Sequence, residues 1–229
     1  MLTFPELRGA RFGPLHLDLL AQAHKRFYED EVIPVLTHQG VLSNPLLDPE
    51  TCLAMIHEAQ ARLGIHHSYG GYFEDRSTLW RQSYLEHKQE WIHLGVDFNV
   101  PVATKVAATW YGKVDWIDDD SPTPGGWGPR VIVRLRDYPD TVLIFAHLGA
   151  IFCKEGTLLK PGDVFAEVGA PPNNGSWFPH LHVQAVDLSQ YKKNWLSLVH
   201  ELDGYTNRFS AGGAAVIFPD PMQFVRLWS

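Results

Sequence analysis

The chain has 229 residues, 45% of them hydrophobic and 20% charged, with a formal net charge of -7. That length suits one sizeable domain, or a core domain with an appended piece. The acidic balance, without a dense Lys/Arg cluster, makes nucleic acid and anionic membrane surfaces poor partners.

The opening, MLTFPELRGARFGPLHLDLL, scatters charges where a signal peptide would carry an apolar run. No window approaches 18 uninterrupted apolar residues, so no transmembrane helix is expected. The default compartment is therefore the cytoplasm. Cys52 and Cys153 lie far apart without a CxxC companion, which fits free thiols better than a disulfide framework.

Residues 1–90 read as mainly helical. Leu15 to Glu31 places apolar residues at helical spacing. A second helix, Cys52 to Leu63, follows Asp48 as N-cap and Pro49 in the first turn, and stops at Gly64. The amphipathic pattern of this region suits capping a cleft or a contact between two copies in a homo-oligomer. The stretch YFEDRSTLWRQSYLEHKQEW that follows carries no clear period.

From Trp91 short β-branched and aromatic runs alternate with turn material: VDFNVPV, KVAATWYGKVDWI, PRVIVRL, TVLIFAHL and FPHLHVQAV. A compact antiparallel β domain is expected over 91–187, with 188–229 as a C-terminal extension packed on it. That tail holds one candidate helix, QYKKNWLSLVHEL. The fold class is mainly β with an α-helical N-terminal extension (α+β).

Twelve histidines is a high count. His16, His24, His38, His57, His87 and His200 have no partner at useful spacing, and the adjacent side chains of His66 and His67 diverge. Four others differ. His180 and His182 form H-x-H on an expected strand, where period-two geometry puts both imidazoles on one face. His93 and Asp97 are four positions apart, an even separation that points both the same way if the segment is extended, with Gly95 and Pro101 arguing against a helix. His147 ends an apolar run where a structural residue would be aliphatic. Two His and one Asp meet the three-ligand requirement of a catalytic zinc, with two histidines left over. The same donors also accept iron, cobalt or nickel.

These residues stand in segments that recur in one order: HLGVD (93–97), TKVAATWYGKV (104–114), GWG (126–128), FAHL (145–148), GTLLKPGDVFAEVG (156–169) and PHLH (179–182). The series resembles the M23 family of zinc metallopeptidases, the LytM and lysostaphin type that cleaves peptidoglycan. The resemblance covers about 90 residues and implies an antiparallel β metallopeptidase core. It makes His93, Asp97 and His182 the ligands of one Zn²⁺, and His147 and His180 a catalytic pair beside it. It implies hydrolysis of an amide or peptide bond in a peptide or small amide-containing substrate.

Three departures from the family pattern stand out. Phe145 replaces a Tyr, Gln184 an acidic residue, and APPNNGSWF (170–178) a Thr-Gly-rich loop. The altered loop and the missing export signal leave two other readings open. One is a metal-dependent enzyme acting on a non-peptide C–N bond of a cytosolic small molecule. The other is a non-catalytic binding module.

Overall fold

The computed structural model describes residues 2–17, 45–80, 90–191, 202–206 and 215–228. Most of the expected helix at Leu15 to Glu31 and most of QYKKNWLSLVHEL lie outside them. In chain order the described strands are β1 (Phe12–Pro14), β2 (His67–Gly70), β3 (Ile92–His93), β4 (Val96–Asn99), β5 (Lys105–Ala107), β6 (Gly112–Asp119) and β7 (Pro129–Leu135). They continue with β8 (Thr141–Ala146), β9 (Leu148–Ile151), β10 (Leu158–Leu159), β11 (Val164–Val168), β12 (Leu181–Asp187) and β13 (Tyr205–Thr206).

Eight of these strands form one sheet in the order β1-β2-β4-β12-β8-β7-β6-β10. It is antiparallel except for the β1–β2 pair at its edge. A second sheet has the order β5-β11-β9, and β3 pairs with β13.

Strand β8 shows why the large sheet is buried on both faces. Every residue of TVLIFA is buried, and the alternation of a strand divides them between two cores. Leu143 and Phe145 join Val131, Val133, Val183 and Ala185 on the face covered by Val106, Phe165 and Val168. Val142 and Ile144 join Ile132 and Val186 on the other face, covered by Leu202 and Phe218 from the C-terminal part of the chain. The tail also closes on the N-terminus, where Thr3 N–H donates to the Arg226 carbonyl at 2.7 Å.

The helix at Pro49–Leu63, α1, runs as expected. The Asp48 carboxylate accepts from Thr51 N–H at 2.8 Å, and Gly64 takes the left-handed conformation at φ 66° that ends it. Among the described residues, the rest of this N-terminal region is less helical than expected, and β1 and β2 lengthen the main sheet. Cys52 is buried and Cys153 half-buried, and both are free thiols.

Candidate metal centre and cleft

The register of three strands assembles the site. His182 on β12 stands opposite Asp97 on β4 and, on the other side, opposite Ala146, the last residue of β8. Directly opposed residues place their Cβ atoms about 4.5–5.5 Å apart, so one register brings His182, Asp97 and the following His147 together. His180 lies two residues before His182, just ahead of the strand. All four sit at one end of the sheet face that the C-terminal residues cover.

His93 and Asp97 do not share one extended segment, as the even spacing suggested. The chain bends at Leu94–Gly95, so His93 ends β3 and Asp97 lies in β4. Gly95 is required there: a Cβ would fall 2.4 Å from His182 Cε1 and 2.7 Å from the Val183 carbonyl. The bend still delivers both side chains to the same point.

The tautomers are fixed by backbone and amide carbonyls. His93 Nδ1 lies 2.9 Å from the Gly71 carbonyl, to which only its N–H can donate, leaving a lone pair on Nε2. His182 Nε2 faces the Gln184 side-chain oxygen at 3.3 Å, leaving the lone pair on Nδ1. Those two lone pairs point at each other and at Asp97: His93 Nε2 is 3.0 Å from His182 Nδ1 and 3.4 Å from Asp97 Oδ1, and His182 Nδ1 is 3.0 Å from the same oxygen. Three acceptors therefore converge without a proton to share. Donors around a tetrahedral zinc at about 2.0–2.1 Å are separated by roughly 3.3 Å, so the spacing fits an ion. Among the described residues this is the group of His, Cys, Asp and Glu able to hold one.

Burial favours the neutral form, the one that binds metal, in three of these imidazoles. His93 is pushed down to about 4, by desolvation first and then by the Arg76 charge. His180 and His147 are lowered as well, chiefly by desolvation. Burial alone would raise the Asp97 carboxyl, but His93, Arg76 and His180 hold it well below the usual carboxylate range. His180 Nδ1 donates to the Phe178 carbonyl at 2.7 Å, so its lone pair is on Nε2, 3.9 Å from Asp97 Oδ1. His147 adopts φ 60°, with its ring centroid 4.5 Å from that of His180. Strain of this kind in a non-glycine residue is held in place by its surroundings. Here His147 N–H donates to the Trp127 carbonyl at 2.8 Å, and its own carbonyl accepts from Gly169 N–H at 2.9 Å.

Sequence reasoning missed Arg76. Its guanidinium is 1% exposed and bridges Glu74 Oε2 at 2.7 Å, Asp97 Oδ2 at 2.8 Å and the Tyr205 hydroxyl at 3.1 Å. It occupies one carboxylate oxygen of Asp97 and leaves the other turned to the histidines, an orienting contact of the kind that tunes metal ligands. Gly71, at φ 98°, permits the approach: a Cβ there would meet Arg76 Nη2 at 2.2 Å and His93 Nδ1 at 2.8 Å. The aperiodic YFEDR stretch offered one signal, an Arg two residues from a Glu beside an invitingly short GG turn.

The other histidines stay apart. His66 Nδ1 accepts from Arg11 N–H at 2.9 Å, and His67 packs on Phe12. His16 lies 3.9 Å from Glu74, and His57 is on α1; His24, His38, His87 and His200 are outside the described residues. The three departures fall into place differently. Phe145 faces the core beside Phe165 and Trp110, away from the cleft. Gln184 supports His182. Trp177 both lines the cleft and anchors its loop, donating from Nε1 to the Leu46 carbonyl at 2.7 Å.

The cleft over these residues has a volume of about 570 Å³, within the roughly 300–1,000 Å³ typical of small-molecule sites. Its far lip is the loop around Asp120, whose carboxylate accepts from Trp127 and Gly128 N–H at 3.1 and 2.7 Å. Arg130 pairs with Asp118 beside it and packs over the Trp127 ring.

Residues 91–194 match the model of peptidase family M23. Among solved structures the chain is similar to the catalytic domain of a point mutant of the prophage-encoded M23 protein EnpA from Enterococcus faecalis. That match has 27% identity, covers 42% of this chain and 68% of that one, and has a TM-score of 0.37. The catalytic domain of the antimicrobial peptidase lysostaphin from Staphylococcus simulans is 25% identical over 58% of this chain and 78% of that one, with a TM-score of 0.39. A zinc-containing peptidase from Vibrio cholerae is 28% identical; the chain covers 28% of its length, with 43% of this chain aligned and a TM-score of 0.37. No curated protein matches the chain.

Proposed function

We propose, from the premise that residues 91–194 are a domain of peptidase family M23, that this chain is a zinc-dependent hydrolase of an amide or peptide bond. The observation that carries the reading is the convergence of His93 Nε2, His182 Nδ1 and Asp97 Oδ1 at 3.0–3.4 Å, three acceptors with no hydrogen between them. In a buried site such an arrangement is repulsive unless a cation sits among the lone pairs.

Bound there, zinc supplies a water acidified toward neutrality and a Lewis acid for the scissile carbonyl. The chain's own residues complete the chemistry. His180, held by the Phe178 carbonyl with its Nε2 free, is the group assigned to accept the water's proton and return it to the leaving amine. His147, locked by two backbone bonds, is assigned to donate toward the oxygen that gains charge at the carbonyl. Desolvation keeps both neutral at pH 7, the state in which His180 can take up a proton and His147 still has one ring N–H to donate. Arg76 steadies Asp97 from behind, and Gly71 and Gln184 fix the two ring orientations.

The reading is tested by loading purified protein with zinc and following release of free amine from short peptides. Zinc-dependent release that disappears in H93A, D97A and H182A is the expected result. A wild-type protein that holds zinc yet cleaves no peptide contradicts it. Among the described residues no helix is long and apolar enough to cross a membrane.

A further inference from the structure

We propose that the cleft is blind at one end, so that the substrate is a short amide, or a chain end, bonded at its terminus rather than the interior of a polymer strand. This rests on the hydrolase reading above and names the class of molecule that reading would act on.

The closure is built from two directions. Antiparallel pairing of β13 with β3 sets Tyr205 opposite the ligand His93, and Leu94 N–H donates to the Gly204 carbonyl at 2.8 Å. The backbone at Gly204 thereby lies against the His182 ring and Trp127: a Cβ on it would fall 3.7 Å from His182 Cε1 and 3.9 Å from Trp127 Cη2. From Tyr205 a wall of rings runs on. Trp80 lies edge-on to Tyr205 at 5.9 Å between centroids, and Trp177 follows at 4.9 Å from Trp80. Trp177 is then tied to Leu46 by its indole N–H. All but Leu46 line the cleft.

The consequence shows in exposure. His93, Asp97, His180 and His182 are each only 2–3% exposed, whereas His147, whose N–H donates to Trp127 of the opposite loop, is partly exposed. The opposite lip, at Asp120, Thr123 and Pro124, is exposed and offers the way in. A chain can therefore extend outward from the reacting bond on the lip side, whereas on the Trp177–Tyr205 side it meets packed rings and a paired strand. Clash of this kind selects by rejecting the longer competitor.

The experiment uses the zinc-loaded full chain and a set of peptides sharing one scissile bond. One member is a blocked dipeptide, two are extended by several residues on a single side, and one is extended on both and blocked at its ends. The proposal expects cleavage of the dipeptide and of one singly extended peptide. It expects kcat/KM to fall by about 10²-fold or more for the other two, because a chain that cannot seat misplaces the reacting bond. Quenching of tryptophan fluorescence, with Trp80, Trp127 and Trp177 in the cleft, reports binding independently of turnover. The doubly extended peptide should quench weakly or not at all. The variant W177A should recover part of its cleavage relative to the dipeptide. Should W177A fail to fold, the wild-type extension series decides alone. Equal cleavage and equal binding of the doubly extended peptide overturn the blind cleft while leaving the hydrolase intact. No cleavage of any member by zinc-loaded protein overturns both.

Discussion

Replacing Arg76 with Met removes a charge while nearly preserving volume, so it isolates the role of the guanidinium. In the wild type that group lies within 2.8 Å of two carboxylates, Glu74 and Asp97, and all three side chains are at most 5% exposed. Taking one partner from a buried ionic cluster leaves uncompensated charge and costs about 3–5 kcal/mol. For a chain of this size each kcal/mol moves Tm by about 2–4 °C, so the zinc-free variant should melt roughly 6–20 °C below the wild type. The assay is thermal unfolding followed by circular dichroism in chelator, which keeps metal out of the comparison. Lys at position 76 restores the charge without the planar fork that spans two carboxylates, and should recover only part of the loss. A zinc-free R76M protein melting within about a degree of the wild type would refute the reasoning, since even a small fraction of the cost exceeds that.

Four further outcomes follow from the same geometry. H147A and H180A should retain zinc in metal analysis but lose about 10²–10⁴ in kcat, the usual range for a proton-transfer group; metal loss in either would place it among the ligands. G95A should weaken zinc binding without removing a ligand, because its methyl displaces the His182 ring, and a competition titration with a chromophoric chelator would read this directly. Metal-free protein should lose stability as pH falls from about 6.5 to about 4. The pKa of His93 is depressed in the fold, so across that window the unfolded chain binds more protons and stability rises with pH. Urea midpoints across the range check the sign, and a flat or inverted profile would contradict it. Zinc should raise the wild-type Tm in proportion to the logarithm of its free concentration, and D97A should show no such rise.

Much of the site was legible because its signals are local. H-x-H at the start of a strand, a His ending an apolar run, and Asp-Pro with a closing Gly around α1 each follow from the chemistry of a few adjacent residues. The short, β-branched apolar run TVLIFA likewise announced a strand, though not that its two faces feed separate cores. What escaped depends on pairing across long separations. Strands β1 and β2 are three and four residues long, contain Pro14 and Gly70, and carry too little pattern to reveal that they extend the sheet. Arg76 sits in a stretch without period, and its importance arises only when β4 brings Asp97 beside it. The even spacing of His93 and Asp97 suggested one extended segment, whereas the two side chains meet because the chain bends at Gly95 between two strands. Gly95 itself was readable as a point of close backbone approach, but the ring it accommodates lies 87 residues onward.

The zinc reading stands on three buried lone pairs that converge on one point. Equilibrium dialysis of chelator-stripped wild type, H93A, D97A and H182A against limiting zinc, followed by metal analysis, tests it most directly. One zinc per chain is expected in the wild type, with a sharp loss of affinity in every variant. A wild type that takes up no zinc, or variants that bind it as tightly, would contradict the account.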